Sequence, residues 1–160
     1  MNAADPRVIE ILNDVLCAEL TAINQDFLHA EMCNDWGYER LYKKIRKESI
    51  DEMIHAEQLI ERILFLNGVP NVQKLGRIRI GENVEEQLKV DLALEEEALP
   101  RLNKGIQVCT EVGDNGTRAL LESILTSEEE HVDWLEAQLD QINQIGIANY
   151  LTLQVKNDEE

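Results

Sequence analysis

Glu19 and Glu95 each stand 33 residues ahead of a Glu-x-x-His tetrad, Glu52 to His55 in the first half and Glu128 to His131 in the second. The chain states one pattern twice. Positions i and i+3 share a helix face, so each tetrad presents a carboxylate and an imidazole side by side. Four inward-facing helices would gather four carboxylates and two imidazoles. That donor set belongs to helical bundles that hold two metal ions between their helices. Oxygen-rich ligation with two imidazoles suits iron or manganese, whereas structural zinc takes four tetrahedral N/S ligands. Six ligands for two ions leave positions open for dioxygen or peroxide. The residues alone therefore point to a di-iron or di-manganese oxidase.

A plainer reading competes with this one. Asp and Glu total 32 of 160 residues, so an acid three positions before a His arises easily; Asp26 precedes His29 in the same way. A lone pair of this kind is more often a surface pair. Here, however, both tetrads and both single Glu residues fall on the inward stripes of their helices. Unpaired carboxylates at such positions cost several kcal/mol in desolvation, and bound cations are the natural way to neutralise them.

The elements that must carry these residues are four long helices. Helix A is expected from about Pro6 to Asn34, with Asp5 as N-cap and Pro6 at the first helical position. Its inward stripe reads Val8, Leu12, Val15, Glu19, Ala22, Asp26, His29. The short break at 34–37 returns helix B antiparallel, from about Tyr38 to Leu66, with Leu41, Ile45, Glu48, Glu52, His55 and Leu59 inward. Asn67, Gly68 and Pro70 end it. Residues 67 to 83 form the one long connection. A 30-residue helix is roughly 45 Å long, which about 13 extended residues can span. Helices B and C can therefore run parallel. The Arg77-Ile78-Arg79-Ile80 alternation looks extended and suited to a strand-like contact with a partner subunit. Helix C is expected from about Val84 to Val112, with Val84, Leu88, Leu92, Glu95, Leu99, Leu102 and Ile106 inward and a bend at Pro100. Helix D follows from about Thr117 to Ile145, with Leu121, Ile124, Glu128, His131, Leu135 and Ile142 inward. A short fifth helix is expected from about Ala148 to Val155, then a frayed tail.

Composition narrows the function classes. The length fits a single domain, 1–160. The net charge of −17 and the absence of a Lys/Arg-rich run argue against nucleic-acid binding, while an acidic surface attracts divalent cations. No apolar run is long enough to span a membrane. The first residues lack a basic region followed by an apolar one, so no signal peptide is read there. Three widely spaced cysteines, Cys17, Cys33 and Cys109, form neither a disulfide framework nor a Cys-type zinc site. A cytoplasmic location is the expectation.

Four segments add a resemblance: Glu19-Leu-Thr-Ala-Ile-Asn-Gln25, Glu48-Ser-Ile-Asp-Glu-Met53, Ile60-Glu-Arg-Ile-Leu-Phe-Leu66 and Glu128-Glu-Glu-His-Val-Asp-Trp-Leu-Glu136. With their spacing they resemble bacterioferritin from Val8 to Leu151. The resemblance implies an all-α, ferritin-like four-helix bundle with one long B–C crossover and a short C-terminal helix. It implies a 24-subunit shell built from C2 dimers that oxidises Fe(II), with O2 or H2O2 as oxidant, and stores the Fe(III) mineral. The ferroxidase site would comprise Glu19, Glu52, His55, Glu95, Glu128 and His131. Glu52 and Glu128 would bridge the di-iron centre, Glu19 and His55 holding one iron, Glu95 and His131 the other. Met53, about 100° of rotation from Glu52, would ligate haem b at the twofold interface together with a partner's methionine. Reductive release would draw electrons from a small ferredoxin.

The chain departs from that family at two positions. Asp26 stands where a Tyr is usual. It reads as an extra metal ligand, an acidic step on an iron path, a local pair with His29, or a hydrogen-bonded residue at the bundle end. Lys47 stands where relatives carry a His that joins the residue matching Asp51 in an inner-surface iron site, which puts that site in doubt. Two alternatives remain: a manganese catalase or small di-iron oxidase without a shell, and a haem-bearing structural or electron-transfer subunit of a mixed shell.

Overall fold

The computed structural model describes residues 4–155. Helix α1 spans Pro6–Asp35, α2 Glu39–Phe65, α3 Val84–Val112, α4 Asn115–Ile145 and α5 Ile147–Thr152. The expected helices are all present, the four long ones with ends shifted by a residue or two and the short fifth ending at Thr152, three residues before the expected Val155. Each long helix begins or ends on a local chemical signal. The Asp5 carboxylate accepts the Arg7 amide hydrogen ahead of Pro6. Asn83 caps α3 by accepting from Glu86 N, and Gly113 closes it in the left-handed region at φ 77°. Asp114 caps α4 by accepting from Thr117 N at 3.0 Å. Arg62, near the end of α2, donates to both Asp114 and Thr117, tying α2 to the start of α4. Helix α3 runs without interruption through Pro100.

The topology follows from which residues share an end. The starts of α1 and α4 and the ends of α2 and α3 meet in one apolar cluster, through Val8, Leu121, Leu66 and Cys109. The opposite ends meet in a second, through Cys33, Leu41, Val84 and Ile142, closed by Tyr150 of α5. Helices α2 and α3 are therefore parallel, and the segment between them crosses the length of the bundle. Tyr150 is fully buried, and its hydroxyl donates to Gln138 Oε1 at 2.7 Å.

The two apolar clusters do not merge. A polar layer separates them, built from Glu19, Gln25, Asp26 and His29 of α1, Glu48 and Glu52 of α2, Asp91 and Glu95 of α3, and Glu128 and His131 of α4, all buried. Burial of the apolar clusters stabilises the bundle at about 25 cal/mol per Å² of apolar surface. That stabilisation has to offset a mid-section filled with acids.

The crossover carries no strand, and α1 holds it. Thr21, Gln25 and His29, at successive helical steps of four, accept amide hydrogens from Gly76 (2.8 Å), Arg79 (3.0 Å) and Gly81 (3.0 Å). The stretch read as a strand-like edge is thus pinned inward through Arg79 N. Gly81 is a necessity here, since a Cβ would lie 2.3 Å from the Gln87 backbone nitrogen.

Candidate metal centre

Helical periodicity delivers the six expected ligands to one place. Glu19 comes from α1, Glu52 and His55 from α2, Glu95 from α3, Glu128 and His131 from α4. Five are buried; His55 is half-buried, with 12 % of its side chain accessible. Their donor atoms form two groups, Glu19–His55–Glu128 and Glu52–Glu95–Glu128–His131, each with all its donor atoms within 4.8 Å of one another.

Glu128 is common to both groups. Its Oε1 lies 3.7 Å from His55 Nδ1 and its Oε2 lies 3.3 Å from His131 Nδ1. Glu19 Oε2 is 3.5 Å from His55 Nδ1, and Glu95 Oε1 is 3.5 Å from His131 Nδ1. Glu52 Oε1 is 3.9 Å from the same His131 nitrogen. These separations exceed hydrogen-bond lengths. Two donors each about 2.1 Å from a shared ion stand about 3–3.6 Å apart, so the spacing matches ligands around a cation. Glu128 thus spans both positions, whereas Glu52 joins only one group.

The polar atoms themselves test the fit of a metal. Glu19 Oε2, both Glu52 oxygens, His55 Nδ1, Glu128 Oε2 and His131 Nδ1 are buried without a hydrogen-bond partner. Buried polar atoms are nearly always satisfied, so six orphans aimed at one centre call for cations.

The electrostatics agree. Burial, then the Glu128 charge, pushes the Glu19 carboxyl up to about 8. Burial, then neighbouring acids, raises Glu52 and Glu95 well above the usual carboxylate range. Burial works against the charge on Glu128 too, but contacts from Glu95, His131, His55 and Glu19 outweigh it and hold Glu128 well below that range. Burial also disfavours charge on the two histidines; their carboxylate neighbours nevertheless lift His55 to about 9 and His131 to about 11. Without metal, protons supply the positive charge that the site requires.

The other expected residues fall as follows. Met53 lies on the outer face of α2, 52 % exposed, one residue from the wholly buried Glu52. Ile50 and Ile54 are exposed on the same side. Lys47 is exposed, while Asp51 Oδ2 turns to within 3.8 Å of His131 Nε2. Asp26 does not pair with His29. The His29 imidazole accepts the Gly81 amide hydrogen on Nε2, so its Nδ1 carries a hydrogen and donates to Asp91 Oδ1 at 2.8 Å.

Asp91 is the buried acid that helical patterning missed. The expected α3 stripe chose Leu92, Leu99 and Ile106, which are only half-buried; Asp91, Gly105 and Cys109 are buried instead. A stripe through 88, 91, 95, 102, 105 and 109 fits the same period but requires an acid facing the interior.

No helix among the described residues is long and apolar enough to cross a membrane. The cysteines are free.

Residues 9–145 match the model of the ferritin-like domain family. The chain is 49 % identical over 146 residues to bacterioferritin of Mycobacterium leprae and to bacterioferritin BfrA of Mycobacterium tuberculosis, covering 91 % of this chain and 92 % of each relative. It is 46 % identical over 155 residues to bacterioferritin of Streptomyces coelicolor, covering 97 % of this chain and 93 % of that one.

Proposed function

The chain belongs to the ferritin-like domain family, among the bacterioferritins, and from that premise we propose that it stores iron and is a ferroxidase. Fe(II) is the substrate, and the two positions built from Glu19, Glu52, His55, Glu95, Glu128 and His131 receive it. The observation that carries this reading is the set of six unpartnered buried atoms from three helices, with Glu95 of the fourth completing the donor groups.

Each Fe(II) gives up one electron, and a pair supplies the two electrons that reduce O2 to H2O2, or H2O2 to water, with protons taken up. The chain's own residues bind and orient. Glu128 holds both ions at once through its two oxygens, setting their separation. His55 and His131 must surrender their Nδ1 protons to ligate, as must any protonated carboxyl of Glu19, Glu52 or Glu95, so loading releases protons. Ala18, Ala22 and Ala98 leave a small gap beside Glu19, Glu95 and Glu128, room for a small oxidant and little else.

Residues 1–160 act as one domain, in a cytoplasmic homo-oligomer of 24 subunits assembled from C2 dimers, with the Fe(III) mineral inside. Haem b lies at the twofold interface. The exposed thioether of Met53, flanked by the exposed Ile50 and Ile54, would hold the haem there. When bound, haem would supply one-electron chemistry for reductive release of the mineral, with a small ferredoxin as the electron donor.

The test is a Fe(II) titration of metal-free, size-purified shell in air. A fast phase saturating near two Fe(II) per subunit, absent in Glu128→Ala, is the expected result. A slow signal without that break, on an intact shell, would reduce the chain to a structural or electron-transfer subunit. Failure to form a large shell would favour a small di-metal oxidase.

A further inference from the structure

A cavity of about 470 Å³ lies where the crossover passes α1 and α3. Among the described residues, four cations line it: Lys74, Arg77 and Arg79 from the crossover, and Arg101 from α3. Two acids, Asp14 and Glu97, stand against them. The whole chain carries −17, so this surplus of positive charge is local. Arg79 Nη2 donates to Glu97 Oε1 at 3.1 Å, and the charges of that pair cancel. The side chains of Lys74, Arg77 and Arg101 form neither an ion pair nor a hydrogen bond among the described residues. Asp14 is the one lining acid left to face them. Three free cations against one carboxylate leave two positive charges unanswered.

The fold holds these cations around the cavity. Asn71 Oδ1 accepts the Lys74 amide hydrogen at 3.2 Å, Thr21 Oγ1 accepts from Gly76 N, and Gln25 Oε1 accepts from Arg79 N. A backbone fixed in advance lowers the entropy lost when its side chains close on a ligand. Sides alternate along the segment. Arg77 and Arg79 line the cavity, whereas Ile78 and Ile80 do not and stay exposed. The apolar pair is thereby left for a partner subunit and the basic pair for the cavity.

We infer that this cavity binds a phosphoryl group, as inorganic phosphate or on a small organic phosphate. Such a group carries about −1.5 to −2 near neutral pH, which answers the two unmatched charges. Guanidinium forks engage two phosphoryl oxygens at once. A single carboxylate would leave one positive charge over. The volume falls in the range of small-molecule sites, so it admits an organic phosphate as well as the bare ion. Ala18 and Leu94 line both this cavity and the small gap beside Glu19, Glu95 and Glu128. A bound anion therefore sits over that gap. The inference needs no metal, so it stands apart from the ferroxidase reading.

Isothermal titration calorimetry of the assembled metal-free protein, with inorganic phosphate and separately with ADP, provides the test. Saturable binding at one site per subunit is expected. Arg77→Gln and Arg101→Gln should each weaken it about tenfold or more. Arg77 is exposed, so its variant keeps the test intact if Arg101→Gln fails to assemble. Lys89→Gln, which removes a cation elsewhere on α3, should leave binding unchanged. Tighter binding of ADP would identify an organic phosphate as the occupant; equal or tighter binding of phosphate would identify the inorganic ion. No saturable binding of either, binding undiminished in both Arg variants, or equal weakening in Lys89→Gln would overturn the inference, whatever the Fe(II) titration shows.

Discussion

His29 Nδ1 and Asp91 Oδ1 meet at 2.8 Å between α1 and α3, with both residues buried. The imidazole also takes the Gly81 amide on its far nitrogen, so one side chain joins α1, α3 and the crossover. His29→Ala orphans a buried backbone donor and removes a donor from a buried carboxylate. Each orphaned group costs about 1–3 kcal/mol. The urea midpoint at unchanged slope should fall accordingly; an unmoved midpoint would mean that the crossover holds itself in place.

Gly81→Ala attacks the same junction sterically. The added Cβ meets the Gln87 backbone nitrogen at 2.3 Å and Cα at 2.7 Å, atoms inside α3 that cannot swing aside. A loss of about 1–3 kcal/mol is expected from the overpacking. The check is thermal unfolding beside Gly113→Ala. That glycine has open space around it but φ 77°, so it reports backbone strain alone.

The metal-free protein should lose stability as pH rises. Glu19 at about 8, His55 at about 9 and His131 at about 11 all lie above their ordinary values of 4.5 and 6.5. The folded state therefore binds more protons than the unfolded one across that range. Stability from these groups is full below the ordinary values and drains away as pH climbs through the raised ones. Glu128 has the opposite sign; its contribution disappears as pH falls below about 4.5. Melting temperature in chelator should thus decline from about pH 5 to 9. Mn(II) should reverse the slope, because ligation competes with protons. A flat apo profile would count against the buried charges.

Glu52→Gln should stabilise the metal-free protein while weakening metal binding. Glu52 is wholly buried with two unpartnered oxygens, and neighbouring acids repel its charge. The folded metal-free protein must therefore keep a proton on Glu52 that the unfolded chain releases, and a neutral amide removes that cost. A gain of about 1 kcal/mol or more is expected without metal, together with a smaller rise in melting temperature when Mn(II) is added. Destabilisation without metal would argue that the carboxylate is already satisfied.

Met53→Ala should separate haem from iron oxidation. Glu52 faces the interior while Met53, the next residue, faces out. Loss of the haem absorption bands with an unaltered fast phase of Fe(II) oxidation is the expected outcome. Retained haem would assign the ligand elsewhere.

Most of this architecture is legible in residue spacing because α1, α2 and α4 keep an unbroken three-four rhythm. Val8, Leu12, Val15, Glu19, Ala22, Asp26 and His29 are all buried as the rhythm predicts. The rhythm is less informative on α3, where Leu92 and Asp91 compete for the interior. Asp91 goes in because Gln25 and His29, more than sixty residues away in sequence, donate to it. No local pattern encodes such partners. The crossover was obscure for the same reason. Its path is set by acceptors on α1, whereas the Arg-Ile alternation suggests only that it is extended. Asp26 stands out in sequence against the family resemblance, but Glu52 and Asp91 beside it become visible only in three dimensions.

The Thr21–Gln25–His29 ladder grips only main-chain amides. Every amino acid except proline offers that amide, so the ladder leaves the identity of residue 79 largely free to drift over generations, whereas a Cβ at Gly76 would crowd Thr21 Oγ1 at 3.2 Å. The route of the segment is inherited through α1. Exposed side chains along the crossover can therefore vary without moving Asp91 or Glu95, and the outer surface can change its chemistry while the interior stays in register.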